Sequence, residues 1–220
     1  RSLYILMLYV YGDSFTYGWT LPDTDKCWGS LLSKKLNTRF KNLAYPGGSN
    51  WRICRELQNT KLKQNDVVVI AWAISNRFEF GKLSNPIPNE YPFANPKNDI
   101  QPFFEQIVDR ASNDKVRTFA EIAYETLYDE EWFDDMFKTM YWATRSYLDR
   151  KKVKWLMFDT WCPSIDTFWF SDMDHKNYVY RGRNNMDNFM RRNFDNVHHE
   201  SGYWNEDGHQ RVANLLHSCL

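Results

Sequence analysis

The chain has 220 residues, and its 28 lysines and arginines are balanced by 28 aspartates and glutamates. That balance excludes a whole-chain field that would gather nucleic acid or anionic lipid, and the length suits one α/β domain with a full core. Aromatic residues make up 17 %, which suits either an aromatic-rich core or a sugar-stacking surface, because Trp and Tyr join a large apolar body to a polar tip. Residues 3–11, LYILMLYVY, are continuously apolar and read as a strand covered on both faces. The run is too short for a secretory signal and leads into a polar turn without a small-residue cleavage site, so a first strand fits better.

Residues 27–36 place Trp28, Leu31, Leu32 and Leu36 at helical spacing. Residues 39–45 read as a short second strand. Residues 49–60 read as a helix opened by Ser49 and Asn50 as N-caps. Residues 66–75, DVVVIAWAIS, form the strongest strand of the chain. The alternation of strand and helix predicts a parallel sheet wound with helices, whose ligands sit beyond the carboxyl ends of its strands.

Between 81 and 102 the prolines and asparagines exclude helix and central strand, so a long loop is expected over the same end of the sheet. A short helix is expected at 103–110, then helices at about 116–128 and 131–150, the last with a stripe of Trp132, Met136, Met140 and Tyr147. Residues 152–161 predict another buried strand. A second long loop is expected at 163–185, then a short helix at 186–193 and an amphipathic closing helix carrying Val212, Ala213, Leu215 and Leu216. Cys27, Cys54, Cys162 and Cys219 are scattered without a CxxC pair, which favours free thiols and leaves a single bridge open. No stretch reaches the ~18–20 apolar residues of a membrane helix.

The chemistry starts at Gly12-Asp13-Ser14, where the first strand ends in a lone hydroxyl. A serine hydroxyl is a poor nucleophile unless a base takes its proton and donors hold the developing oxyanion. After the second strand, Asn42 is followed by Gly47 and Gly48, which let backbone approach a ligand closely. The third strand ends at Ser75 and Asn76. Near the end stand Asp195, His198 and His199, and His209 opens the last helix. Asp172, Asp174 and His175 cluster in a polar loop and read as solvated side chains, so no metal is expected. Arg181 and Arg183, in RGRNN at 181–185, with Arg191 and Arg192 make a small basic patch without a nucleic-acid-binding motif.

These blocks resemble those of the SGNH, or GDSL, hydrolases, over both ends and the first third of the chain. The resemblance implies one domain over 1–220; the loops read from composition, at about 81–115 and 163–185, count as insertions in it. It also implies a three-layer α/β/α sandwich on a parallel, flavodoxin-like sheet. It implies a cofactor-free serine hydrolase for an acyl ester, often acetyl on a sugar or lipid, with Ser14 as nucleophile and with the Ser14 and Gly47 N–H groups in the oxyanion hole. Phe15 stands where the family usually has leucine. In the third block Asn76 has the right chemistry and Ser75 the right count for the side-chain donor. In the last block Asp195 and His198 fit Asp-x-x-His; His199 and His209 are alternative bases, and a tighter alignment puts Tyr203 at the histidine's place. Two other readings stay open: a degenerate glycan-binding or structural module, for example in a virion or other larger assembly, and an O-acyltransferase. The expected partner is a small-molecule or carbohydrate ester, with no nucleic acid and no membrane span.

Overall fold

The computed structural model describes residues 6–75, 129–161, 176–181 and 184–220, with isolated helical positions between 114 and 126. In chain order the elements are β1 (Met7–Tyr11), α1 (Ser14–Tyr17), α2 (Trp28–Leu36), β2 (Arg39–Asn42), α3 (Asn50–Asn59), β3 (Val67–Trp72), α4 (Glu130–Lys151), β4 (Lys154–Asp159), β5 (Tyr178–Val179), α5 (Met186–Asn193) and α6 (Glu206–Cys219). The five strands pair in parallel in the order β2-β1-β3-β4-β5. That is the flavodoxin-like order, with its reversal between β1 and β3.

Side-chain alternation along β3 divides the core between two layers of helices. Val68, Ile70 and Trp72 face Ile53 and Leu57 of α3 and Phe137, Tyr141 and Leu148 of α4. Val67, Val69 and Ala71 face Trp28 and Leu32 of α2, Met190 of α5, and Val212 and Leu216 of α6. The parallel pairing follows, because each strand needs a helix to return it and each helix needs an apolar face to cover.

The structure shifts three sequence expectations. On α4 the inward face is Phe133, Phe137, Met140, Tyr141, Thr144 and Leu148; of the expected stripe Met140 is buried and Tyr147 packs against the same core, while Trp132 is 52 % exposed. Both registers are apolar, and the perpendicular packing of Phe137 on Trp72 at 5.4 Å matches the one chosen. Trp132→Ala is therefore expected to change unfolding free energy by less than about 1 kcal/mol in a urea titration. Inside the span expected to be loop at 163–185, Tyr178 and Val179 form the edge strand, because buried Tyr178 donates its hydroxyl to Asp159 at the end of β4. The second strand stops at Asn42, short of 45, because Asn42 Oδ1 accepts the Ala44 N–H at 3.0 Å and turns the chain.

The segments expected as loop at 81–102 and helix at 103–110 lie outside the described residues, and most of 116–128 does too. Cys27, Cys54 and Cys219 carry free thiols, and Cys162 is outside the described residues. Among the described residues no helix is long and apolar enough to cross a membrane.

Candidate active site

Gly12 leads from β1 into α1. A Cβ there would lie 2.2 Å from Thr16 Oγ1 and 3.1 Å from Ala71 Cβ, so only glycine lets the helix fold back over the strand end. Asp13 caps α1, its Oδ1 accepting the Phe15 N–H at 3.1 Å. Ser14 is thereby the first residue of α1, at the carboxyl end of β1, where the strand order reverses. It is 6 % exposed, and among the described residues neither its N–H nor its Oγ has a hydrogen-bond partner.

The loop after β2 closes onto the same point. Tyr45 N–H donates to the Gly12 carbonyl at 3.0 Å, and Asn42 Nδ2 donates to the Thr16 carbonyl at 3.3 Å. Gly47 sits at φ 75°, in the left-handed region, and among the described residues its N–H has no acceptor. The Gly48 N–H is occupied by the Tyr45 carbonyl at 2.8 Å. Gly47→Ala is expected to cost about 1–2 kcal/mol in chemical denaturation, because an L side chain there strains the backbone.

At the end of β3, Asn50 clamps the strand, accepting the Ala73 N–H at 2.9 Å and donating to its carbonyl at 3.0 Å. Ser75 is buried, and its hydroxyl donates to Asp134 Oδ1 on α4 at 3.3 Å. Asn76 lies outside the described residues, as do Asp172, Asp174 and His175.

The three histidines separate by environment. His199 is exposed and bonded within its own turn, its Nδ1 3.0 Å from Ser201 Oγ. His209 is 1 % exposed, and its Nδ1 accepts the Trp28 N–H at 3.1 Å. Cys27 offers α2 no side-chain cap, so His209 supplies the acceptor from α6. Burial holds its imidazole neutral, with the pKa pushed down to about 3. His198 lies in a short hairpin, bridged antiparallel to Trp204, and its Nε2 meets Asp187 Oδ1 at 2.8 Å. None of the three bonds Ser14 Oγ.

Asp195, expected to hold His198, does not. Asn196 takes φ 55°, so the chain turns there, leaving Asp195 in water and burying Val197. The acid beside the imidazole is Asp187, in the first turn of α5 and 2 % exposed. Trp204 Nε1 donates to the same carboxylate at 2.9 Å and Arg191 Nε at 2.8 Å. Arg191 is thus an ion-pair partner rather than part of a solvated basic patch. The sequence signal for this pair was the Asp187–Arg191 spacing of four on a short helix.

Phe15 extends the arrangement toward Ser14. Its ring centroid lies 4.9 Å from Trp204 and 4.8 Å from Tyr203, which brings Tyr203 beside the residue that follows Ser14. Among the described residues no group of three or more His, Cys, Asp or Glu is placed to hold a metal ion.

No family model matches the chain, and no curated protein matches it by sequence. Solved structures do. The psychrotrophic esterase EstA from Pseudoalteromonas sp. superposes with a TM-score of 0.50 at 10 % identity, over 97 % of this chain and 95 % of that one. A member of the lipolytic protein G-D-S-L family from Veillonella parvula DSM 2008 gives 0.40 at 13 % identity, over 95 % and 94 %. A two-domain esterase active on acetylated mannans gives 0.45 at 12 % identity, over 98 % of this chain and 48 % of that one. The five-stranded parallel sheet, its helices on both faces and the overlay along nearly the whole chain give this protein the α/β sandwich fold shared with the esterase EstA.

Proposed function

We propose that the protein is a serine ester hydrolase that removes a short acyl group, with a carbohydrate ester as the favoured substrate class. The observation that carries this reading is the placement of Ser14: a hydroxyl without a partner among the described residues, on a glycine-enforced turn at the carboxyl end of β1, with the Gly47 loop tied to the same turn. In this reading Ser14 Oγ attacks the acyl carbon while His198 takes its proton. The N–H groups of Ser14 and Gly47, without acceptors among the described residues, receive the oxyanion. Asn76 supplies the side-chain donor, since the Ser75 hydroxyl is engaged with Asp134. The proton passes to the leaving alkoxide, and water releases the acyl group by the reverse steps. The mannan esterase among the structural neighbours and the half-buried rings of Phe15 and Tyr203 favour a sugar as the alcohol.

A second reading is favoured by the histidines. With no imidazole among the described residues bonded to Ser14 Oγ, and with Tyr203 packed on Phe15, the same site would serve as a glycan-binding module without turnover. Labelling with a fluorophosphonate probe, followed by peptide mapping, separates the two. Modification at Ser14 is the expected result; an unlabelled protein that retains acetylated glycan on a column establishes the binding module instead. Acyl transfer to a second alcohol would use every residue named here, and product analysis with an added acceptor sugar distinguishes it from hydrolysis.

A further inference from the structure

The helix α4 carries more apolar surface than the sheet covers. Phe137, Tyr141 and Leu148 fill the core beneath it. Met136, Met140, Ala143 and Tyr147 recur at helical spacing beside them and turn toward α3, where Trp51, Cys54 and Leu57 face them. A groove of about 410 Å³ stays open between the two helices. Trp51 stands 43 % exposed on its wall, so apolar area remains in water there after folding.

The two ends of the groove differ in chemistry. The helices α3 and α4 each lead by a short connection into a parallel strand, β3 and β4, so both run in the same direction. Cys54 Sγ lies 3.6 Å from Thr144 Oγ1 and sets their register. At about 1.5 Å per residue, Met136 lies about 12 Å from Thr144 toward the helix starts, and Arg150 about 9 Å toward the helix ends. One end is therefore lined by Met136, Met140 and Trp51. The other has Gln58, Tyr147 and Arg150, with Lys151 Nζ 5.4 Å from the centroid of the Tyr147 ring. Asp149 is turned elsewhere: its Oδ1 accepts the Trp155 Nε1–H at 2.8 Å, and its Oδ2 faces Arg145 Nε at 3.8 Å. Among the described residues no carboxylate lines the groove.

We propose that this groove binds a dissolved, single-chain anionic amphiphile of the fatty-acid class, its tail along Met136, Met140 and Trp51 and its carboxylate beside Gln58 and Arg150. The volume falls within the range of about 300–1,000 Å³ that small-ligand sites occupy. Methionine side chains adapt to a flexible chain. The guanidinium of Arg150 and the amide N–H groups of Gln58 are donors for a carboxylate, whereas a cationic head would meet like charge from Arg150 and Lys151. A peptide helix, about 10–12 Å across with its side chains, cannot sink between two helices packed at about 8–10 Å. The groove lies along α3 and α4 and uses neither Ser14 nor the hydrolase reading.

Calorimetric titration of the full chain tests this, with dodecanoate, octanoate and dodecyltrimethylammonium, each below its critical micelle concentration. One dodecanoate is expected to bind per chain, with affinity falling about fourfold for each methylene removed toward octanoate. Dodecyltrimethylammonium is expected to bind at least about tenfold more weakly than dodecanoate. Ala143→Trp, at an exposed position of α4, is expected to fill the groove and abolish binding with circular dichroism unchanged. Arg150→Glu, also at an exposed position, is expected to weaken dodecanoate about tenfold and to narrow the gap to the cationic amphiphile. Ser14→Ala is expected to bind dodecanoate as the unsubstituted chain does. Absence of dodecanoate binding overturns the proposal. So does equal affinity for the two head charges, a comparison that needs no variant to fold. Undiminished binding in a folded Ala143→Trp chain places the ligand elsewhere and overturns it as well, and none of these results bears on Ser14 as a nucleophile.

Discussion

Ser14→Ala is expected to lower the turnover of p-nitrophenyl acetate by at least about 10⁴-fold while leaving the melting temperature and far-ultraviolet circular dichroism unchanged. The large kinetic effect follows from the proposed reaction: with Ser14 as nucleophile, loss of its hydroxyl leaves no acyl-enzyme, and what remains comes from binding and the oxyanion donors alone. The small structural effect follows from the geometry. The Ser14 hydroxyl bonds nothing among the described residues, α1 is capped by Asp13 and closed by Gly18 at φ 85°, and alanine is a good residue at a first helical position. Equal hydrolysis before and after the substitution would reject Ser14 as the nucleophile. A loss of turnover accompanied by a lower melting temperature would not count in its favour.

The second large effect is expected at His209. Its pKa is lowered by burial to about 3, against about 6.5 for an exposed imidazole. The unfolded chain therefore binds a proton below pH 6.5 that the folded chain refuses. The contribution of His209 to stability is whole above pH 6.5. It falls by up to about 1.4 kcal/mol for each unit as the pH drops toward 3. At pH 4.5 the loss from this residue alone is on the order of 2–3 kcal/mol. His209→Asn removes the titration while keeping an acceptor near the Trp28 N–H, so the acid side of its stability profile is expected to flatten. His209→Phe leaves that N–H buried and unpaired, at about 1–3 kcal/mol across all pH. Urea titrations at pH 7 and pH 4.5 check both. If the two variants and the unsubstituted chain lose stability in parallel on acidification, His209 is not the group responsible.

Both predictions rest on features whose legibility in the sequence differed. Residues 66–75 announced β3 because an unbroken run of valine, isoleucine and tryptophan can satisfy nothing except a strand covered on both faces. Gly12-Asp13-Ser14 announced its turn because glycine and a capping aspartate have local uses that need no tertiary partner. The fold class followed from those local signals. Trp132 misled because α4 carries apolar residues on more than one face, and only the position of Trp72 across the interface selects Phe137 over its neighbours. Tyr178 was hidden because a two-residue edge strand carries too little pattern to read, and its burial depends on Asp159 and on its stack against Tyr141.

The histidine's partner shows where local reading stops. Asp195 stands three residues before His198, and adjacency in sequence suggested adjacency in space. A single left-handed residue, Asn196, turns the first carboxylate into water, while α5 brings Asp187 to the imidazole from eleven positions upstream. The sequence by itself determined the parallel α/β architecture, the glycine turn and the place of Ser14, because each rests on backbone rules or on apolar periodicity within a short window. Only the tertiary structure decided which acid meets His198, which face of α4 turns inward, and that His209 caps α2. Each of those is a contact between elements far apart in the chain, set by how helices pack on the sheet.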